Sequence, residues 1–581
     1  MAIVAALAAG LTARREDDDK PVGPPSRREC ALVILLTVAA ALLRIPGLDR
    51  VPPGLFVDEA FVGLQGVALW SGETIPAIPE HEHPPDLPVW SLAVAAATRV
   101  FGVNAAAIRL PMAVTGVLAV PVAWLAGRSL LGAAGGVGAA LFLCGSFWHV
   151  QFSRIAIDPG AVVLEGLLAG WFVLSPAWSS SVFAAAAAGA VAGIACNGYF
   201  SALYLPLWCL AVLGLGVFKP PTGVARSRIV LRRASFLAAF ALVMMPMLFT
   251  GRLGFLVDRP GQVFRSRSVM DIGAKVVPLR NLLGRVPASV VQWAGYPPGA
   301  PRLSLFERLA FLAGLACLAA AREISPYVRW SVALWLAFAM VPEMIPGELH
   351  LSRGAGALAP MALLAGFAGR FVHLRFGACA AALAAIAGLA NAAWTGKILY
   401  RDFAASPEAR TAYSNNSVLA ADRVRQLCAE GPVLLTAASM AYESAPVDRF
   451  LLWNEIRAGR ILPLTRVPEL RPTIDFYRYP LNGEPVLFIL GTGDYPRDRR
   501  IGMANVEAML GYGGDLELKG RLREAEEFYL RFLGTFPDSG YTHLRLGGLL
   551  SRLGRGKEAA REYEIAGRMG HPVPSRGDAF K

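Results

Sequence analysis

From residue 30 to about residue 396 the chain alternates long apolar runs with short polar breaks. A helix needs roughly 20 apolar residues to cross a bilayer. Runs of that kind occupy 30–48, 110–127, 131–148, 159–175, 181–197, 200–217, 234–250, 305–321, 328–346, 354–370 and 376–396. They predict an α-helical polytopic membrane protein of about eleven spans. The stretch 86–101 is apolar but short and carries Arg99 at its end, which predicts a helix lying at the membrane interface. Past residue 400 the pattern changes. Across 418–495 a helical run alternates with the short strand-like runs Pro432–Thr436 and Pro485–Leu490, the signature of a small α/β region.

Composition sharpens this division. The chain has 581 residues, 55% hydrophobic and 17% charged, with mean hydropathy +0.46. Soluble domains are near a quarter charged, so a water-soluble fold is excluded for most of the chain. Between residues 91 and 250 the only acids are Asp158 and Glu165, whereas 23 of the 43 Asp and Glu lie beyond residue 400. The net charge of +13 does not indicate nucleic acid, because the arginines are spread among apolar runs and form no single basic face. The seven cysteines have no metal-ligand spacing; Cys144, Cys196, Cys209, Cys317 and Cys379 fall inside apolar runs, so no disulfide framework is expected.

Short loops set the predicted orientation. The segment from Lys219 to Arg233 holds Lys219, Arg226, Arg228, Arg232 and Arg233 and no acid, which marks it as cytosolic. Counting spans from it puts the N-terminus in the cytosol and the C-terminal region on the outer face. The loop 251–304 disagrees: it falls outside, yet contains Arg252, Arg259, Arg265, Arg267, Lys275, Arg280 and Arg285. The expected domains are a disordered lead-in (1–29), a membrane domain (30–400), an outer α/β domain (401–500), a repeat region (501–572) and a tail (573–581).

That repeat has a period of 34. Gly513 aligns with Gly547, Leu516 with Leu550, Gly520-Arg521 with Gly554-Arg555, Glu524-Ala525 with Glu558-Ala559 and Tyr529 with Tyr563. With Pro537 after the second helix, it resembles tetratricopeptide repeats.

The segment most suited to chemistry is Arg50–Gln65. There Asp58 and Glu59 stand side by side just after the first span, in mainly apolar company. A carboxylate at the membrane face can act as a general base on a hydroxyl, and the same Asp58 can equally start a helix as its N-cap. Asp158 and Glu165 are seven apart and share one helix face, and charge inside a span is costly enough to point to function. Asp158 before Pro159 is also a strong cap pattern. Arg109, Arg154, His350 and Arg353 offer donors suited to phosphate oxygens, or act as interfacial cations paired with Asp58 or Glu59. In Glu80–His83, His81 and His83 alternate in a way that suits a divalent metal, although such a run is more often a solvated loop. No cofactor is required by this reading.

The acidic pair, preceded by Pro52-Pro53-Gly54 and followed by an interfacial helix, resembles the Asp-Glu motif of the protein O-mannosyltransferase and lipid A aminoarabinose transferase families, which are GT-C glycosyltransferases. Further landmarks follow in order: His83-Pro84-Pro85, Phe101-Gly102, Ala107–Pro111, Trp148–Arg154, His350–Arg353 and Ala359-Pro360. The resemblance covers about residues 30–400. It implies a membrane transferase of the inner or plasma membrane that moves a sugar from a polyprenyl-phosphate donor to a lipid, glycan or protein acceptor at the outer face, inverting at the anomeric carbon. It implies Asp58 as catalytic base, Glu59 as its orienting neighbour and Asp158 as the assisting acid of the next outer loop. The repeats would recruit a protein or glycan partner. Two other classes compete: a transporter or flippase, whose coupling charges would sit at mid-membrane, and a non-catalytic scaffold anchored by the spans.

Overall fold

The computed structural model describes residues 24–72, 89–178, 181–218, 226–249, 282–284, 301–344 and 351–413, together with parts of 418–569. The described residues form two compact units, one ending at Tyr413 and the other beginning beyond it.

The first unit is helical. α1 (Arg27–Arg44) starts with a reciprocal cap: Ser26 Oγ accepts from the Glu29 amide and the Glu29 carboxylate from the Ser26 amide. The loop 45–56 leads into α2 (Val57–Ser71), which packs along α3 (Val89–Phe101), the segment expected at the interface. Gly66 permits that approach, since a Cβ there would stand 2.7 Å from the Val94 side chain. Then follow α4 (Ala105–Gly145), the short α5 (Phe147–Ser153), α6 (Pro159–Leu174), α7 (Val182–Gly198), α8 (Tyr204–Phe218), α9 (Arg226–Phe249), α10 (Leu305–Ala320), α11 (Pro326–Met344), α12 (Leu358–Lys397) and α13 (Pro407–Ala412).

Two of these are bent back on themselves. α4 breaks at Gly132 (φ 79°) and α12 at Gly377 (φ 80°), a left-handed conformation that glycine adopts without strain. Each therefore contributes two rods, and the apolar runs 110–127 and 131–148, like 354–370 and 376–396, lie on either side of a break. The two bent helices pack on each other more extensively than any other pair. Small residues make that possible: a Cβ on Gly138 would lie 2.7 Å from the Ala365 carbonyl, and one on Gly366 would lie 2.7 Å from that of Gly135. Asn391 and Thr395 both donate to the Gly145 carbonyl, at 3.0 and 2.6 Å, where α4 ends.

Three described helical stretches are long and apolar enough to cross a membrane, Ala105–Gly145, Ser227–Met247 and Ala355–Phe403, with shorter apolar helices beside them. Ile34, Leu35 and Leu42 on α1, and Leu383 and Ile386 on α12, turn large apolar side chains outward. Surface of that kind is covered by lipid. The chain is an integral membrane protein.

In the second unit β1 (Val433–Leu435) pairs in parallel with β2 (Ile461–Pro463), and β3 (Pro472–Arg478), β4 (Pro485–Thr492) and β5 (Arg500–Gly502) form an antiparallel sheet in the order β3-β4-β5. The short helices α14 (Pro446–Leu451) and α15 (Trp453–Arg457) lie between β1 and β2 in sequence, and α16 (Leu522–Thr535), α17 (Gly540–Arg552) and α18 (Gly556–Arg568) follow the sheet. The 34-residue period recurs in their contacts. A Cβ on Gly513 would stand 2.5 Å from the Tyr529 ring, and one on Gly547 would stand 2.8 Å from that of Tyr563. Arg521 pairs with Glu524, and Arg555 with Glu558, each with an Nε–Oε1 distance of 2.8 Å. Gly520 and Gly554 both have positive φ.

The α10–α12 crossing is close, with a Cβ on Gly314 only 2.1 Å from where the Leu364 carbonyl stands. Gly314→Val is expected to cost about 1–3 kcal/mol by overpacking. The measurement is the thermal midpoint of the purified protein in detergent, and an unchanged midpoint would contradict this crossing.

Candidate functional site

The acidic pair opens α2, and its two members do different things. Phe56, not Asp58, occupies the N-cap position, so Asp58 stands in the first turn and the cap reading does not hold for it. Asp58 is half-buried. Glu59 is fully buried and occupied. Its carboxylate takes two bonds from Arg109, at 2.7 and 2.8 Å, one from the Ala156 amide at 2.8 Å and one from the Phe56 amide at 3.1 Å. A carboxylate held by that many donors has no lone pair well placed for an incoming proton.

Arg109 is fully buried at the start of α4, and all five of its N–H donors are engaged. Besides Glu59 it donates to the carbonyls of Leu48, Pro52 and Gly54, at 2.8, 3.1 and 2.8 Å. The expectation that it binds donor phosphate is thereby corrected: it is the salt-bridge partner of Glu59 and the organiser of the loop 48–54. Arg154 departs from expectation in the same way. Its guanidinium donates to the carbonyls of Leu43, Pro46, Gly47 and Val51 and to the Tyr400 hydroxyl, and lies 5.2 Å from the Tyr400 ring centroid. Arg109 thereby supplies donors to the carbonyls of three buried loop residues, and Arg154 shares Leu43 and Pro46 with the Tyr400 hydroxyl.

Glu59 also joins the loop 45–56 to the loop before α6 through Ala156. Two residues further on, Asp158 precedes α6 with Pro159 at the first helical position, and its side chain makes no capping bond. Asp158 is half-buried, close to Gly198 and Tyr199: a Cβ on Gly198 would be 3.7 Å from its Cβ. Glu165, seven residues further along the same face, is 4% exposed and accepts from the Trp90 indole N–H at 3.1 Å. Burial pushes the Tyr199 phenol above its usual range, against the pull of its bond to Ser352 and the nearby Arg353 cation; Asp158 adds to the upward push. Tyr199 is thus bonded to Ser352 of the late loop and lies beside Asp158.

The late loop itself is held at several points. Trp148 donates to the Leu351 carbonyl at 3.1 Å, Tyr199 to Ser352 Oγ at 3.2 Å and Tyr204 to the Gly356 carbonyl at 3.3 Å. Arg353 is half-buried, 5.9 Å from the Phe200 ring centroid. His350, His81 and His83 lie outside the described residues. Among the described residues no three His, Cys, Asp or Glu side chains gather as a metal site.

Several structuring groups escaped the sequence reading. Arg44, at the end of α1, is fully buried and donates to the Leu143 carbonyl and to His149 Nδ1, both at 2.9 Å. Arginine only donates, so Nδ1 accepts and the neutral His149 ring carries its proton on Nε2. Burial, with Arg44 beside it, holds His149 well below the usual histidine range. Arg302 and Glu343 form a second buried pair. The available signal was Glu343 itself, an acid inside the apolar run 328–346, which is costly there unless paired.

No family model matches the sequence, and no curated protein matches it. Among solved structures, ArnT from Cupriavidus metallidurans is similar in its apo state at 14% identity and in its undecaprenyl phosphate-bound state at 15%. The TM-scores are 0.48 and 0.47, and each comparison covers 77% of this chain and 93% of that one. The Archaeoglobus fulgidus oligosaccharyltransferase tethered with an acceptor peptide is 12% identical with a TM-score of 0.47, covering 76% of this chain and 64% of that one. Every one of these scores falls below one half, and the functional reading rests on the site's own residues.

Removing one member of the Glu59–Arg109 pair leaves a buried charge unmatched. Arg109→Ala is expected to cost about 3–5 kcal/mol, seen as a large loss of monodisperse protein after detergent extraction. Wild-type yield and thermal midpoint would refute the clamp.

Proposed function

We propose that the chain is a GT-C type membrane glycosyltransferase with about eleven spans, its N-terminus cytosolic and its C-terminal region on the outer face. It takes a sugar from a polyprenyl-phosphate carrier and passes it to a hydroxyl acceptor. Asp58 accepts the acceptor's proton while the acceptor oxygen attacks the anomeric carbon. The bond from that carbon to the phosphate oxygen breaks on the opposite face, with inversion, and the lipid phosphate leaves with the electron pair. Arg353 and His350 neutralise it, which is the electrostatic half of the catalysis. Asp158 assists from the second outer loop, and the helices α16–α18, as tetratricopeptide-like repeats, offer a surface to a partner.

The observation that carries this reading is the junction at Glu59. One fully buried carboxylate fixes the start of α2, the loop 48–54 and the second outer loop at once, leaving its half-buried neighbour Asp58 on a rigid frame. Preorganised carboxylates of this kind suit proton transfer, because the group need not move to meet the acceptor. The geometry of Glu59 also speaks for it: its carboxylate is taken up by four donors, and this reading gives the role of base to its neighbour Asp58. A mid-membrane coupling charge, as a transporter requires, is less well served by acids gathered beside the outer loops.

The test is transfer of radiolabelled sugar from polyprenyl-phosphate donors by purified protein in detergent. Loss of a general base costs about 10²–10⁴-fold, so Asp58→Asn is expected to lose at least two orders of magnitude with an unchanged thermal midpoint. Equal transfer by Asp58→Asn and wild type would remove Asp58 from the mechanism.

A further inference from the structure

The late loop flanks a buried ion pair that the reaction described above does not use. Arg302, just before α10, meets Glu343 near the end of α11 through two parallel bonds, Nη1–Oε1 at 2.8 Å and Nη2–Oε2 at 2.6 Å. Both side chains are fully buried. The Arg302 guanidinium carbon lies 3.8 Å from the Trp148 ring centroid, so the fork is fixed along one edge by the carboxylate and across one face by the indole. Trp148 in turn donates its indole N–H to the Leu351 carbonyl at 3.1 Å. On the far side of Arg353 the backbone passes so close that a Cβ on Gly354 would stand 2.1 Å from Glu343 Oε2 and 2.4 Å from Arg302 Nη2. The pair thus touches the late loop on both sides of Arg353, two residues before it through Trp148 and one residue after it directly.

We propose that the Arg302–Glu343 pair, stacked on Trp148, is a positioning clamp that sets the late loop so that Arg353 can meet a polyprenyl phosphate. The inference rests on the glycosyltransferase reading above. Two features separate it from ordinary structural pairing. A buried ion pair is a poor source of stability, since well-packed apolar residues usually serve as well; what it supplies is a bidentate geometry that holds two segments at one angle. And the loop at this place has a residue without a side chain: a Cβ at Gly354 would have to displace the Glu343 carboxylate and the Arg302 fork. Arg302 and Glu343 touch no substrate in this scheme. They act through the backbone on either side of Arg353.

The experiment measures binding of a short-chain polyprenyl phosphate to the purified full-length protein in detergent, by calorimetric titration, for wild type, Arg353→Ala, Glu343→Gln, Gly354→Ala and the Glu343→Gln/Arg353→Ala double variant. Contacting residues couple by an amount that corresponds to about tenfold in affinity. Glu343→Gln is expected to weaken binding by about that factor, and the double variant to bind no more weakly than Arg353→Ala alone. A merely structural role would not produce that non-additivity. Gly354→Ala keeps both charges and is expected to weaken binding in the same way, and it decides the matter if Glu343→Gln cannot be purified folded. Wild-type affinity in Glu343→Gln and Gly354→Ala, with Arg353→Ala weakened, would overturn the clamp and leave the glycosyltransferase reading standing, as would losses that simply multiply in the double variant. No polyprenyl phosphate binding by wild type, or none lost in Arg353→Ala, would overturn the phosphate role of Arg353 and the clamp with it.

Discussion

The bidentate bond between Glu59 and Arg109 holds one end of the membrane unit together. Neither side chain touches solvent, and between them they bond to Leu48, Pro52, Gly54, Phe56 and Ala156. Those five residues belong to the loop before α2, the start of α2 and the loop before α6. A bond network that reaches so many segments gives one arrangement of the loops a sharp advantage, because any other would strand a charge away from water. Asp58, the residue before Glu59 in the first turn of α2, takes its position from this network.

A wider pattern runs through the buried cations. Arg44, Arg109, Arg154 and Arg302 are among the largest fully buried side chains among the described residues. Arg109 and Arg154 donate chiefly to backbone carbonyls of the loop 46–54, and Arg44 to carbonyls in the last turn of α4. Near lipid, an irregular backbone has no water to satisfy its polar groups and must find donors within the protein. A planar fork with five donors does this better than any other side chain. Part of the positive charge of the chain is accordingly internal, and the arginines scattered among apolar runs are in good measure the framework of the loops.

The pattern of the chain made the helices legible, since a run of about 20 apolar residues has few other fates. It also exposed the 34-residue repeat, because the same glycine, tyrosine and Arg–Glu positions recur, and those positions make equivalent contacts in α16–α18. The acidic pair stood out for its isolation among apolar neighbours. Which arginine met which acid did not. Arg109 lies 50 residues from Glu59, Arg154 more than 100 from the carbonyls it serves, and Arg302 lies 41 from Glu343. Such partners are chosen by how helices cross, and no local pattern encodes that. Phosphate binding was therefore a fair expectation for Arg109 and Arg154 from residue type alone, and their geometry gave them other work.

What the sequence by itself determined was the class of environment and the inventory of groups: an apolar helical bundle, acids beside the loops between helices, cations near them and a 34-residue repeat in the tail. Hydrophobic periodicity and charge cost are local properties, readable wherever they occur. Only the tertiary structure decided that Glu59 belongs to the frame while Asp58 stays half-open, that Arg353 rather than Arg109 is left beside Tyr199, and that Arg302 and Glu343 meet under Trp148. Those assignments depend on directional bonds between segments far apart in the chain, which exist only once the helices have packed.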